Sequence, residues 1–145
     1  GLAGASGMKY ALRLLEVLNH LKVEQHIVVS EAGRRVLQEE EGIKCSASNL
    51  SLETLIQRKG DEAFFYSPRD IGARIASGTF VNDGMVIVPC SMSTLGSVAH
   101  GISSNLLQRA AEVTLKERRK LILVPRETPL STIHLENLLK LSQAG

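Results

Sequence analysis

The sequence predicts an α/β fold built around an open parallel sheet. Short apolar runs rich in β-branched residues alternate along the chain with segments whose apolar residues recur at helical spacing. This alternation is typical of a parallel sheet with right-handed crossover connections. With 145 residues, the chain is long enough for one domain with one hydrophobic core. We therefore treat residues 1–145 as a single domain.

The composition argues against several classes of partner. The formal net charge is only +2, and aromatic residues make up 3% of the chain with no tryptophan, so neither charge nor base stacking indicates nucleic acid. No apolar run approaches the ~20 residues that a membrane-spanning helix needs. The two cysteines, Cys45 and Cys90, have no metal-ligand spacing and are compatible with a reducing compartment. We expect a cytoplasmic protein without a bound metal.

The chain begins with a turn of small residues at 4–7, followed by a helix. Four leucines lie on one face of that predicted helix: Leu12, Leu15, Leu18 and Leu21. A glycine-rich turn before a helix can cradle a phosphate, although flexible terminal residues or a tag remnant would give the same pattern. Because such a cradle normally follows a buried strand, we expect a first strand upstream that this chain lacks.

A second strand and helix follow. Residues 26–29 predict a short strand, and Ser30 is placed to cap a helix over 31–41. The acidic run 39–41 stands at the C-terminal end of that helix, where negative charge is unfavourable. A solvated face is the ordinary explanation for the run, but an unfavourably placed carboxylate also suits a functional role. Glu40 is therefore a candidate site residue.

Residues 45–69 form the least regular part of the pattern. We expect a short helix after Ser51 and another from Arg69 through Ile75. Residues 64–66 are compatible either with a strand or with a loop anchored by aromatic side chains.

The segment 84–96 is the stretch around which the rest of the chain is organised. Residues 85–88 form an unbroken apolar run, as in a strand buried on both faces, and Pro89 should end its ladder because proline has no N–H. Three small hydroxyl residues then lead into a helix: Ser91, Ser93 and Thr94. The free amides at that helix start attract anions, while an ordinary cap formed by Thr94 or Ser93 explains the pattern equally well.

The C-terminal third repeats the alternation. A helix that resumes after Gly101 ends in the basic run 116–120, whose charges suit a helix C-terminus, and residues 121–124 form the next strand. Thr128 followed by Pro129 predicts the start of the last helix. That helix should extend over 130–142 and bury three side chains: Ile133, Leu138 and Leu141.

Four polar turns follow the predicted strands, at residues 4–7, 30, 91–94 and 126–128. The carboxyl ends of parallel strands share one edge of the sheet, and open α/β sheets bind ligands there. Four candidate turns on one edge indicate a ligand site more strongly than any single turn does.

The chain resembles the UbiX-type flavin prenyltransferases in motifs whose order and intervals agree over nearly its whole length. They are Gly-Ala-Ser-Gly at 4–7, Pro-Cys-Ser-Met-Ser-Thr-Leu at 89–95, Leu-Lys-Glu-Arg-Arg at 115–119, Pro-Arg-Glu-Thr-Pro-Leu at 125–130 and Ile-His-Leu-Glu-Asn at 133–137. The resemblance implies a Rossmann-like three-layer α/β/α fold, bound FMN, and transfer of a dimethylallyl group from dimethylallyl phosphate to the flavin. It also implies a homo-oligomer, a dodecamer with active sites between subunits, and a UbiD-type decarboxylase that receives the prenylated FMN.

The resemblance also implies roles for individual residues. It places the FMN contacts at Gly4, Ala5, Ser6, Ser30, Ser91, Met92, Ser93, Thr94 and Arg126. Around the isoprenyl phosphate and the reacting flavin edge it places Glu127, Lys116, Arg109 and Glu40. It also gives Ser6 a catalytic role. The family is expected to continue past residue 145 with further residues that hold the substrate phosphate, so part of the site should be absent from this chain.

These residue types suit cleavage of an allylic phosphate. Negative charge builds on the departing phosphate, where Lys116 and Arg109 can stabilise it. Glu127 can exchange protons there if burial raises its pKa. The structural alternatives are that Arg109 is an exposed helix charge and that Glu127 pairs with Arg126.

Two other functions stay open. A flavin-dependent cysteine decarboxylase shares the implied fold, but those enzymes resemble one another in a Pro-Ala-Met-Asn turn, and this chain has Pro-Cys-Ser-Met at 89–92. A non-catalytic FMN-binding module is the second alternative. We further expect Cys90, against a buried strand, to be neither a nucleophile nor a disulfide partner.

Overall fold

The computed structural model describes residues 1–46, 49–60 and 62–145. The described residues fold into helices and short strands, with a 3₁₀ turn at Arg74–Ala76. In chain order they are α1 (Met8–His20), β1 (Gln25–Val28), α2 (Glu31–Glu41), α3 (Leu52–Ile56), β2 (Ala63–Tyr66), β3 (Met85–Cys90), α4 (Met92–Ala99), α5 (Leu106–Lys116), β4 (Leu121–Pro125) and α6 (Thr132–Ala144).

The strands form one parallel arrangement centred on the first residues of the chain. β1 pairs with β2 and β3 pairs with β4, both in parallel. Residues 1–3 join the two pairs: the Leu2 N–H donates to the Val28 carbonyl at 2.9 Å, and the Ala3 N–H donates to the Pro89 carbonyl at 3.1 Å. The resulting order is β2, β1, residues 1–3, β3, β4. The direction of winding therefore reverses at residues 1–3, which is the point where doubly wound sheets bind their ligands.

Helices cover both faces of the sheet and make three layers. One hydrophobic cluster places Ile87 against Leu95 of α4 and Leu107 of α5. The other places Ile27 against Met8 of α1 and Leu37 of α2. The Rossmann-like α/β/α class predicted from the sequence is confirmed. Among the described residues, no helix has both the length and the apolar character required to cross a membrane.

Several element boundaries agree with the sequence-based predictions and others do not. The helix capped by Ser30 and the short helix after Ser51 are present. Of the two alternatives left open for 64–66, the structure has the strand. Leu21 is predicted to share one face of the first helix with Leu12, Leu15 and Leu18, but it lies beyond the helix end and is 62% exposed. The helix expected after Arg69 is replaced by hydrogen-bonded turns and the 3₁₀ turn.

Pro89 does not end its strand. β3 continues to Cys90 because the Pro89 carbonyl accepts from Ala3 and the Cys90 carbonyl accepts from the Arg126 N–H at 3.3 Å. The missing proline N–H is accommodated by a shift in register between Ile87 and Cys90. A proline in a strand lacks only the backbone N–H donor, and here the Pro89 carbonyl still accepts a hydrogen bond.

The last helix also begins later than predicted. Ser131 caps α6, accepting from the His134 N–H at 3.2 Å while its own N–H donates to the His134 ring, so Thr128 is not the cap. This capping box fixes the helix so that Leu141 is buried and Ile133 is 66% exposed, contrary to the inward position expected for Ile133.

Candidate functional site

The predicted turns do meet at the carboxyl edge of the sheet. The loop at 4–7 leaves the central position, Ser30 follows β1, Ser91 follows β3, and Arg126 follows β4. The hydrogen bond from the Arg126 N–H to the Cys90 carbonyl places Arg126 beside the turn that opens α4.

The loop at 4–7 is packed tightly against the start of α2. A Cβ on Gly4 would overlap the Cβ of Ala32, and a Cβ on Gly33 would lie 2.7 Å from the Leu2 carbonyl oxygen. Both glycines are therefore required for this close approach. Ser30 caps α2 by accepting from the Gly33 N–H at 2.9 Å, which is the structural role expected for it.

Glu40 connects α2 to the loop. Its carboxylate accepts from the Gly7 N–H at 3.0 Å, from the Met8 N–H at 2.9 Å, and from the Ser6 hydroxyl. Gly7, the N-cap of α1, has no side chain to satisfy these amides, so a carboxylate from another helix does so. Glu40 is unfavourably placed for its own helix dipole but favourably placed for that of α1.

Electrostatics bring Arg126 into the same group. The hydrogen bond from the Ser6 hydroxyl, and then that from the Met8 N–H, lower the pKa of Glu40 below its ordinary value, and the positive charge of Arg126 lowers it further. Ser6 and Glu40 are therefore joined by a hydrogen bond, and Arg126 acts on Glu40 through its charge. All three residues are candidates from the sequence, but no local sequence pattern indicates that Glu40 caps α1.

The start of α4 supplies the other side of the site. Ser91 is the N-cap, in place of the Thr94 or Ser93 cap considered from the sequence: its hydroxyl accepts from the Thr94 N–H at 3.3 Å and donates to the Thr94 hydroxyl at 3.0 Å. The amides of Met92 and Ser93 belong to the first turn and have no intrahelical acceptor. They present hydrogen-bond donors at the positive end of the helix dipole.

These groups fit FMN. Within the described part of the chain, the N–H groups of Gly4 and Ser6 make no hydrogen bond to protein. Together with the first-turn amides of α4 and the exposed Arg126 guanidinium, they form a set of hydrogen-bond donors around the switch point, the place at residues 1–3 where the winding of the sheet reverses. Buried Ala3 and Ala5 give the loop an apolar base. A phosphorylated cofactor with a polar ring edge matches this donor set.

A cavity of about 510 Å³ does not coincide with these turns. It lies between α1, β1 and β3, and it is lined by Gln25 and Gly84 at the amino ends of the strands. The donor chemistry therefore locates the candidate site better than cavity volume does.

Glu127 and Arg109 lie near the carboxyl edge of the sheet, but their contacts are with residues other than Ser6, Glu40 and Arg126. Glu127 is exposed, and its carboxylate accepts from the Thr128 N–H at 3.2 Å. No ion pair between Arg126 and Glu127 occurs among the described residues. Arg109 pairs with Glu112 at 3.1 Å in the first half of α5.

Lys116 is separated from the other candidates. It ends α5, forms an ion pair with Glu117, and precedes β4, so it lies at the amino edge of the sheet. The five residues of β4 then place its carboxyl end about 13 Å away along the strand. One copy of the chain therefore does not bring Lys116 to Ser6 and Arg126. The chain order alone, with Lys116 before a strand and Glu127 after it, could have indicated this separation.

Cys90 behaves as an apolar core residue. It has no exposed surface, and burial raises the pKa of its thiol to about 12. Cys45 and Cys90 are both free thiols in the structure.

The donor set and the sheet topology define a flavin-binding protein. Comparison with known proteins agrees, because a family model described as Flavoprotein matches residues 1–145. The chain is 46% identical over 145 residues to the flavin prenyltransferase UbiX of Halalkalibacterium halodurans, covering 100% of this chain and 70% of that protein. It is 50% identical over 149 residues to the flavin prenyltransferase LpdB of Lactiplantibacillus plantarum, covering 73% of that protein. The chain belongs to the UbiX-type flavin prenyltransferase family.

Solved structures agree with this assignment. The structure of AnUbiX (PadA1) in complex with FMN and dimethylallyl pyrophosphate matches with a TM-score of 0.86 and 40% identity, covering 99% of this chain and 71% of that one. A dodecameric FMN-dependent UbiX-like decarboxylase from Escherichia coli O157:H7 matches with a TM-score of 0.85 and 43% identity, covering 99% of this chain and 75% of that one. The cypemycin decarboxylase CypD matches with a TM-score of 0.71 but only 13% identity, which shows a shared fold alone.

Proposed function

We propose that this protein transfers a dimethylallyl group from dimethylallyl phosphate to reduced FMN and so makes prenylated FMN. The observation that carries the proposal is the meeting of Ser6, Ser91 and Arg126 at the switch point of the sheet, in a chain that belongs to the flavin prenyltransferase family. Bound reduced flavin would supply the nucleophilic ring that accepts the allyl group.

Binding and orientation of FMN fall to the two turns around the switch point. The free amides of Gly4 and Ser6, and those of Met92 and Ser93, are the donors for its phosphate and polar ring edge. The guanidinium of Arg126 adds a positive charge beside them. Ser30 and Ser91 shape the site mainly through the caps they form, and Thr94 contributes through its hydrogen bonds with Ser91.

Ser6 and Glu40 are proposed to act as a pair at the reacting edge of the flavin. The carboxylate of Glu40 accepts from the Ser6 hydroxyl and from two amides of α1, so it fixes both the side chain and the backbone of the loop. A hydroxyl held in one orientation adds less reorganisation cost to the reaction than a free one.

Departure of the phosphate requires positive charge and a proton. We assign the charge to Lys116 and Arg109 and the proton transfer to Glu127. Because Lys116 lies at the opposite edge of the sheet from Glu127, we propose that it serves the site of a neighbouring copy in a homo-oligomer. The dodecameric state of the similar E. coli protein supports an assembly of this kind.

We also propose a recipient for the product and a compartment for the reaction. A UbiD-type decarboxylase is the proposed recipient of the prenylated FMN, in the cytoplasm. The two free cysteines are compatible with that reducing compartment.

The test is an anaerobic incubation of the full-length protein with reduced FMN and an allylic substrate, followed by the mass of the flavin and the release of phosphate. Dimethylallyl phosphate and dimethylallyl pyrophosphate are compared, since AnUbiX has been solved with the latter. A flavin heavier by one dimethylallyl unit supports the proposal. Decarboxylation of a cysteine-terminated peptide without flavin prenylation would indicate the decarboxylase function, and FMN binding without either reaction would indicate a binding module.

A further inference from the structure

Arg119 makes an unusual pair of contacts just beyond α5. Its backbone N–H donates to the Thr114 carbonyl at 2.9 Å, which turns the chain back against the helix. Its guanidinium donates from Nη1 to the Phe80 carbonyl at 2.6 Å and from Nη2 to the Gly78 carbonyl at 2.8 Å. One half-buried side chain therefore fixes two carbonyls of a turn that lies about 40 residues away in the sequence.

The turn at 77–80 is also anchored on its other side. The Phe80 N–H donates to the Ser77 carbonyl at 3.2 Å, which closes the turn. The Phe80 ring meets the His26 ring edge to face with 4.8 Å between centroids, and the Arg74 guanidinium lies 4.5 Å from its centre. The sheet thus holds one end of the turn while Arg119 holds its carbonyls.

The turn borders the ammonium group of Lys116. A Cβ on Gly78 would lie 2.8 Å from Lys116 Nζ and would overlap the carboxylate of Glu117. The backbone at Gly78 therefore limits the space available to the Lys116–Glu117 ion pair. If the turn moved, the side chain of Lys116 would gain freedom.

We infer that Arg119 is a positioning residue for Lys116: by fixing the turn at 77–80, it holds the Lys116 ammonium where a substrate phosphate can use it. This inference rests on the proposed function, in which Lys116 stabilises the departing phosphate. A planar guanidinium can donate to two carbonyls at fixed separation, and a lysine ammonium cannot reproduce that fork.

The experiment compares Arg119→Lys and Arg119→Gln with Arg118→Gly in the full-length protein. Arg118 is the matched control because it is the exposed neighbour, and its φ of 57° suits glycine. Misplacing Lys116 should reduce single-turnover prenyl transfer about 10- to 100-fold at low dimethylallyl phosphate in both Arg119 variants. FMN affinity should stay within about twofold of wild type, and Arg118→Gly should transfer normally.

A double-mutant cycle with Lys116→Ala separates positioning from a general structural effect. If Arg119 acts through Lys116, Arg119→Gln should cause little further loss of rate in the Lys116→Ala background. Independent, multiplicative losses would overturn the inference, as would wild-type transfer by Arg119→Lys. Loss of FMN binding in parallel with transfer would also overturn it, because the role would then be structural. Absence of prenyl transfer by the wild-type protein would instead refute the proposed function itself.

Discussion

Replacement of Glu40 by glutamine tests whether this carboxylate stabilises the start of α1. In the structure it accepts hydrogen bonds from Gly7, Met8 and Ser6, and it lies at the positive end of the α1 dipole. Glutamine keeps the size and one acceptor oxygen but removes the charge. The variant should therefore retain the fold and lose part of the cap.

The magnitude follows from the exposure of the site. Loss of an N-terminal cap typically costs ~1 kcal/mol, and an anion at a helix N-terminus contributes a further fraction of that when exposed. Because Glu40 is exposed, screening by solvent limits the total, and we expect a decrease of about 1 kcal/mol in the free energy of unfolding at neutral pH. For a chain of this size that corresponds to a decrease of about 3 °C in melting temperature.

The effect should depend on pH in a defined direction. Hydrogen bonding, chiefly from Ser6, lowers the pKa of Glu40 in the folded protein below its ordinary value of 4.5. A lowered carboxyl pKa contributes stability that is fully present above the unfolded pKa and is lost as the pH falls through the folded pKa. The difference between wild type and Glu40→Gln should therefore be constant above about pH 5.5 and shrink towards zero in more acidic solution.

Urea unfolding at several pH values measures this difference directly. Glu39→Gln is the matched control because Glu39 is an exposed neighbour in the same acidic run. Equal stability of the Glu40 and Glu39 variants at pH 7 would refute the capping role. A difference that persisted unchanged at strongly acidic pH would refute its assignment to the ionised carboxylate.

Three other substitutions test separate parts of the account. Glu127→Gln should slow single-turnover prenyl transfer about 10²–10⁴-fold with FMN affinity kept, and an unchanged rate would remove Glu127 from the proton transfer. Cys90→Ser, which places a hydroxyl in the core, should lower the free energy of unfolding by about 1–3 kcal/mol without changing transfer per folded molecule, as measured by urea unfolding beside the flavin-mass assay. Gly4→Ala should destabilise the protein by about 1–3 kcal/mol and weaken FMN binding in a fluorescence titration, because its Cβ would overlap that of Ala32. Gly72→Ala, whose Cβ would meet only Asp70 Oδ1 at 3.6 Å, is its control and should change neither quantity.

The parts of the fold that depend on local pattern could be predicted from the sequence. The cap at Ser30, the helix it begins and the start of the strand before Ser91 agree because neighbouring residues determine them. The common edge of the four turns also followed, since it depends only on parallel strand direction.

The features that were missed depend on contacts between distant segments. Pro89 stays in its strand because Ala3, 86 positions earlier, donates to its carbonyl. Glu40 caps α1 from α2, so the residues next to Glu40 and those next to Met8 give no sign that the two interact. The last helix is capped by Ser131 and not by Thr128. Two capping patterns lie close together, and only that of Ser131 is completed by a residue three positions later, His134.

The central claim is that FMN binds at the carboxyl edge of the sheet, and a crystal structure of the full-length protein with FMN tests it most directly. We expect the cofactor to contact the loop at 4–7, the first turn of α4 and the Arg126 side chain. FMN bound elsewhere, for example in the cavity beside Gln25 and Gly84, with no contact to Ser6, Ser91 or Arg126, would contradict the account.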